Sequence, residues 1–317
     1  MRALPIFRAL ADPTRIRILL LVRRMELAVG ELAQVLRQSQ PRVSRHVRIL
    51  ADAGLVRRAK EGAWVFVRQG DALACDAVFA ALDTWGEGEA AADVAALAAV
   101  RAERDASAAA YFATQAATWD RVRSLHVAES DVEAAVVAAL GGRSLGRLLD
   151  IGTGTGRMIE LLGPRARIAT GIDRSPEMLR LARGRIEAAG LPHAEVRHGD
   201  MFALPHDDAS VDTVVLHQVL HFADAPGQAI AEAARVLAPG GRLLVADFAP
   251  HDREELRARH AHARLGFDAA QVCGWMTAAG LDARVAADLH APDGVAQPLT
   301  VTLWLGERPP LQQRVAA

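Results

Sequence analysis

The spacing of apolar residues divides the chain into two regimes. In the first 70 residues apolar positions recur at helical spacing in three short blocks. Ile16, Leu19 and Leu20 predict a helix entered at Asp12-Pro13, an acceptor side chain followed by a residue suited to the first helical position. Leu32, Val35 and Leu36 predict a second helix over about 29–36. Val43, Val47 and Leu50 predict a third, capped by Ser39 and ended by Gly54. In that third helix Pro41, Ser44, Arg45 and Arg48 fall opposite the apolar stripe, with Arg42 at its edge. Residues 55–58 and 63–68 read as two strands joined through Lys60-Glu61-Gly62. Residues 71–117 are Ala-rich and helical in pattern, with a break at Gly86-Glu87-Gly88. Leu73, Val78, Phe79 and Leu82 form an apolar set suited to dimerisation.

From residue 145 the pattern changes to short apolar runs alternating with amphipathic helices. Strands are expected at 147–151, 168–172, 195–198, 211–216, 242–248, 283–287 and 300–305. Helices are expected at 131–140, after Gly156, over 175–189 and over 226–237. Such alternation predicts an α/β domain, a doubly wound and mostly parallel sheet. Ligands of these sheets bind at the carboxyl ends of the strands. Asp150, Asp173, Asp200 and His217 are therefore expected on one rim. His221, His251, His260 and His262 are candidates for the same mouth. Arg259-His-Ala-His262 does not read as a metal site, because i and i+2 on a helix point in different directions.

Composition sharpens this division. The net charge is −1, but residues 1–70 hold 14 basic and 5 acidic residues, a net of +9, and the remainder carries −10. A small basic module ahead of an acidic body fits a nucleic-acid-binding head. The outward face of the third helix is a candidate for base contacts in a major groove, and Lys60 at the wing tip for a phosphate. Two cysteines without CxxC spacing exclude a thiolate metal cluster and suit a reducing compartment. No apolar run approaches the roughly 20 residues that span a bilayer. The expected location is the cytoplasm.

The stretch with the most chemistry is Asp150-Ile-Gly-Thr-Gly-Thr-Gly156. Glycines 152, 154 and 156 let backbone N–H groups and a helix N-terminus approach a ligand. Asp173 follows 21 residues after Gly152, at the end of the next strand, where a carboxylate can accept both hydroxyls of a ribose. An acid at Asp150 would repel a pyrophosphate and suits a cationic ligand. These residues resemble the class I S-adenosylmethionine (SAM) methyltransferases over about 145–306. The resemblance implies a Rossmann-like seven-stranded sheet with its last strand antiparallel, and SAM as cofactor with S-adenosylhomocysteine (SAH) as product. It also implies that Asp200 accepts the adenine amino group and that Met201 lies against the ring. His217 falls where acceptor chemistry occurs and could act as general base or only shape the pocket. Tyr111 and Trp119 could form a lid over the methionine end, or anchor the core.

The head resembles the ArsR-type winged-helix repressors over about residues 4–82. The resemblance rests on Ala9-Leu-Ala-Asp-Pro-Thr-Arg-Ile-Arg-Ile18, Ser39-Gln-Pro-Arg-Val-Ser-Arg-His46 and Leu50-Ala-Asp-Ala-Gly-Leu-Val56. It implies a homodimer on operator DNA, with base contacts from Gln40, Ser44 and Arg45, while His46 is read as a packing residue. The arsenic- and cadmium-sensing members carry Cys-x-Cys where this chain has Ala28 and Gly30, and residues 71–90 contain no His to replace the ligands of the zinc-sensing members. The expected organisation is a winged-helix domain over 1–85, a helical connector and lid over 86–144, a methyltransferase domain over 145–306 and a tail over 307–317. Two functions are open: a regulator that also methylates an acceptor the sequence does not name, and a non-catalytic SAM/SAH sensor that controls operator affinity.

Overall fold

The computed structural model describes residues 3–61, 63–86, 90–116, 128–290 and 299–310. The chain forms two compact units, Met1–Ala106 and Ser107–Ala317.

The first unit, the head, begins with α1 (Ala3–Leu10) and α2 (Pro13–Arg24). The Asp12 carboxylate accepts the Thr14 and Arg15 N–H groups at 2.8 and 3.3 Å, which caps α2 as its sequence predicts. After β1 (Leu27–Ala28) come α3 (Val29–Leu36) and α4 (Gln40–Asp52). Ser39 occupies the N-cap position of α4, but its hydroxyl makes no capping bond. Beyond α4, Gly54 takes the left-handed conformation, φ +75°, that a residue with a Cβ adopts only with strain. Strands β2 (Val56–Glu61) and β3 (Trp64–Gln69) form the wing hairpin, and β1 adds an unforeseen third strand antiparallel to β3. Lys60 belongs to β2 opposite Val65, so it is exposed on the strand rather than in the turn.

Helix α5 (Ala72–Thr84) follows. Its Val78, Phe79 and Leu82, expected to dimerise, are buried in the head's own core beside Ile18, Leu32 and Leu50. Leu73 and Trp85 instead are 84% and 66% exposed. The segment expected as a separate connector is divided between the two units. The first part of α6 (Ala91–Gln115) belongs to the head, where Leu97 and Val100 are buried. Two bidentate forks fasten it: Arg17 to Asp93, with both contacts at 2.6 Å, and Arg104 to Glu31, at 2.8 and 2.5 Å. Of the expected hinge, only Gly86 is described.

The second unit, the body, holds α7 (Glu129–Leu140), β4 (Gly146–Ile151), α8 (Arg157–Leu162), β5 (Ala166–Asp173) and α9 (Pro176–Ala188). Then come β6 (Ala194–His198), β7 (Val211–His217), α10 (Pro226–Val236) and β8 (Leu237–Phe248). Short α11 (Glu254–His260), α12 (Ala269–Ala278), β9 (Asp282–His290) and β10 (Thr300–Glu307) complete it. The seven strands lie in the order β6-β5-β4-β7-β8-β10-β9. Strands β4 to β8 pair in parallel, and β10 runs antiparallel to both neighbours.

Strand periodicity produces a core on each face. Leu148, Val215 and Leu244 pack with Val136 of α7, Ile159 of α8 and Leu179 of α9. Their strand neighbours Leu149, Val214, Leu243 and Val245 pack with Ile230 of α10 and Met276 of α12. Burial on both faces explains why these strands read as continuous apolar runs.

Candidate functional sites

The glycine turn joins β4 to α8, and its geometry depends on missing side chains. Gly152, Gly154 and Gly156 all have positive φ, at +70°, +53° and +82°. A Cβ on Gly152 would come within 2.2 Å of Val219 Cγ2, and one on Gly156 within 3.0 Å of Ala182 Cβ. Asp150 is buried, and its Oδ2 accepts the Thr153 hydroxyl at 2.6 Å, which fastens the turn to the strand that launches it. Asp173, at the end of β5, accepts the Gly154 N–H at 2.8 Å on one oxygen and the Ser175 N–H at 2.8 Å on the other. The Arg174 N–H is a third backbone donor to this carboxylate, which leaves about one of its four lone-pair directions open to a hydroxyl donor. Asp173 is half-buried as a residue, but protein closely surrounds its carboxyl. That burial pushes it above the usual carboxylate range, while the N–H groups of Ser175 and Gly154 pull the other way.

Asp200 follows β6, and its carboxylate accepts the Phe202 N–H at 3.0 Å. This Asx turn carries Met201, half-buried against the α10 face of the sheet. The next rim position is the end of β7. His217 is buried, pairs in register with Ala246 of β8, and has its Nε2 3.9 Å from Glu129 Oε1, beyond hydrogen-bond length. Gln218 then takes φ +50°, unusual for a residue with a side chain, and turns the chain into a short 3-10 helix over Leu220–Phe222.

That turn delivers His221 to Asp247. Nδ1 of His221 lies 2.7 Å from Asp247 Oδ1, and its backbone N–H reaches Oδ2 at 3.2 Å. Both residues are buried. His262 stacks on the His221 ring at 4.2 Å between centroids, and Phe222 and Phe248 stand at 4.0 and 5.1 Å. His260 points elsewhere: its Nδ1 lies 2.8 Å from the Tyr111 hydroxyl. Ala261, left-handed at φ +55°, ends α11 between the two histidines and separates their directions. Burial holds the His260 imidazole below its ordinary value, with Arg253 and Arg259 adding, and burial pushes the Tyr111 phenol up. Both groups are therefore neutral near pH 7. Trp119, the other expected lid residue, lies outside the described residues. Among the described residues no group of three His, Cys, Asp or Glu could hold a metal ion.

In the head, Val43, Val47 and Leu50 bury one side of α4. Gln40, Arg42, Arg45 and Arg48 are exposed and Ser44 is half-buried. His46 is 9% exposed, with Nδ1 3.9 Å from the Asp12 carboxylate. Burial holds it below its ordinary pKa; Asp12 opposes this, and Arg15, Arg42 and Arg45 add to it.

Comparison with known families agrees with both halves. Residues 12–58 match the model described as the bacterial regulatory protein, arsR family, and residues 149–245 match the model described as a methyltransferase domain. The chain joins an ArsR-family helix-turn-helix domain to a methyltransferase domain. It is 39% identical over 137 residues to an uncharacterized 37.1 kDa protein in a transposon of Streptomyces fradiae, covering 42% of this chain and 37% of that one. It is 43% identical over 97 residues to an uncharacterized methyltransferase of Mycobacterium tuberculosis, covering 31% and 37% respectively. The chain thus spans little more than a third of the length of these relatives. The crystal structure of the YcgJ protein from Bacillus subtilis shares the fold, with a TM-score of 0.50 at 19% identity, covering 57% of this chain and 99% of that one.

Within the methyltransferase domain, three of the expected rim acids lie at turns leaving parallel strands, as the α/β pattern predicts: Asp150 in β4, Asp173 in β5 and Asp200 after β6. The sequence reading missed Asp247. Its signal was present, since it is an acid near the carboxyl end of the buried apolar run 242–248, as Asp150 is in its own. Thr153 was also missed, because a hydroxyl between glycines carries no pattern.

Proposed function

We propose that the protein is a cytoplasmic, homodimeric transcription regulator that binds operator DNA through its head and SAM through its body. The body then transfers a methyl group to an acceptor. The observation that carries the cofactor assignment is the pairing of the Gly152–Gly156 turn with Asp173, which leaves a Cβ-free cradle beside a carboxylate that backbone N–H groups hold in place. These residues fit SAM. Asp173 would hold the ribose hydroxyls, Asp200 the adenine amino group and Met201 the ring face. Asp150, through Thr153, would keep the turn in register while its charge favours a cationic ligand. When bound, SAM supplies an electrophilic methyl group on a sulfonium. Tyr111 is a candidate lid and His217 a candidate wall or base on the acceptor side.

The DNA assignment rests on the exposed Gln40, Arg42, Arg45 and Arg48 of α4, the half-buried Ser44, and Lys60 on the wing. Dimerisation is supported by the exposed apolar side chains Leu4, Phe7, Leu73 and Trp85, which find no cover in the head. No helix among the described residues is long and apolar enough to cross a membrane.

A sensor without an acceptor is the second reading, favoured by the complete DNA-reading face. One experiment separates the two. Operator DNA is titrated with the full chain at fixed salt, without ligand, with SAM and with SAH, after calorimetry has measured both ligands. A sensor requires the three curves to differ, by about 5–150-fold for an ordinary coupling energy. Identical curves with both ligands bound leave the methyltransferase reading. Absence of SAM and SAH binding overturns both.

A further inference from the structure

Aromatic rings are scarce in this chain, with one tyrosine, eight phenylalanines and five tryptophans, yet Tyr111, Phe112, Phe222 and Phe248 gather at one place in the body. Tyr111 packs edge-on to Phe112, Phe112 to Phe222, and Phe222 to His262, which in turn stacks on His221 and Phe248. This wall adjoins the glycine turn, because Val219, two residues before His221, is the side chain that a Cβ on Gly152 would strike. At its centre is the His221–Asp247 pair.

We propose that His221 is the catalytic base of the methyltransferase domain, with Asp247 as its positioning residue, and that the acceptor is a planar aromatic hydroxyl. The inference rests on the SAM-binding reading above. An ionised carboxylate only accepts, so Nδ1 of His221 carries the proton of the 2.7 Å contact. Nε2 is then the acceptor, and it makes no hydrogen bond to any described residue. Asp247 is itself 0% exposed and holds two backbone N–H groups, of His221 and Phe248, besides the ring. A carboxylate this buried costs stability unless it is paired. Here it fixes the tautomer and stabilises the imidazolium that forms when Nε2 takes a proton.

The step balances as follows. As the acceptor oxygen bonds to the methyl carbon, the carbon–sulfur bond breaks and its electron pair stays on sulfur. The O–H bond breaks and its proton passes to His221 Nε2. A flat ring is the acceptor that a wall of Phe112, Phe222 and His262 would hold by stacking.

The test uses 4-nitrophenol, which absorbs visibly only as phenolate, added to the full chain saturated with SAH at one fixed pH below the probe's own transition. Wild type should bind it and raise the phenolate fraction severalfold over free solution. In His221→Asn the amide can still reach Asp247, so the probe should bind with its phenolate signal lost. Asp247→Asn should lower that signal while SAH binding persists. Equal phenolate signals in wild type and His221→Asn would show that the pair only fastens the loop to β8. No probe binding to SAH-loaded wild type would overturn the aromatic-hydroxyl acceptor. If wild type fails to bind SAH, it is the cofactor reading that falls. Should His221→Asn not fold, wild type still decides. Its ¹⁵N-histidine spectrum must gain a doubly protonated, carboxylate-bonded imidazolium when the probe is added, and an unchanged spectrum refutes the proposal.

Discussion

Gly154 donates its backbone N–H to Asp173 Oδ2 at 2.8 Å, so the glycine turn after β4 and the acid ending β5 form one construction. Asp173→Ala removes the acceptor of three backbone N–H groups, of Gly154, Arg174 and Ser175, as well as the proposed ribose contact. SAM affinity should fall by about 1.5–3 kcal/mol for each charged hydrogen bond lost. Calorimetry on the folded variant checks this, and unchanged affinity would remove Asp173 from the site.

Gly152 and Gly190 share a left-handed backbone, at φ +70° and +64°, but differ in surroundings. A Cβ on Gly152 meets Val219 at 2.2 Å, whereas one on Gly190 meets nothing within 4 Å. Gly190→Ala should cost only the conformational penalty, about 1–2 kcal/mol. Gly152→Ala should cost more in thermal stability and should also weaken SAM binding. Equal losses in the two variants would show that Val219 yields freely.

Arg45 and Lys60 are both exposed but on different elements, α4 and β2. Arg45→Ala should cost about 1–3 kcal/mol at the preferred operator and relax sequence preference. Lys60→Ala should weaken binding to all duplexes alike and flatten the salt dependence. Gel shifts with operator and scrambled DNA over a range of salt concentrations distinguish the two effects.

His46 supplies a pH dependence. Burial depresses its folded pKa below the ordinary 6.5, so the unfolded chain binds the proton more readily. Its contribution to stability is in place above pH 6.5 and is lost as pH falls through the depressed folded value. The stability difference between wild type and His46→Gln, measured by denaturant unfolding, should therefore shrink on acidification. A difference that does not change with pH would mean that His46 titrates normally.

Much of this protein was determined by local pattern. The helical stripe of Val43, Val47 and Leu50 faces Arg45 and Arg48 across one helix, so a reading face follows from 3.6 residues per turn. Continuous apolar runs ending near acids marked β4 and β5, and the glycines between 152 and 156 declared a turn that only they could make. Those signals are short-range, and the sequence carries them by itself. Tertiary structure decided which distant groups meet. Val78, Phe79 and Leu82 could have served a partner as well as a core, and only the packing of α5 into the head's core buried them within one chain. His221, His260 and His262 looked alike as a sequence. The left-handed turns at Gln218 and Ala261 sent His260 to Tyr111, stacked His262 on His221 and set His221 against the buried carboxylate of Asp247. His221 stands in the 3-10 helix after β7 and Asp247 in β8, and no periodicity within either element encodes their pairing.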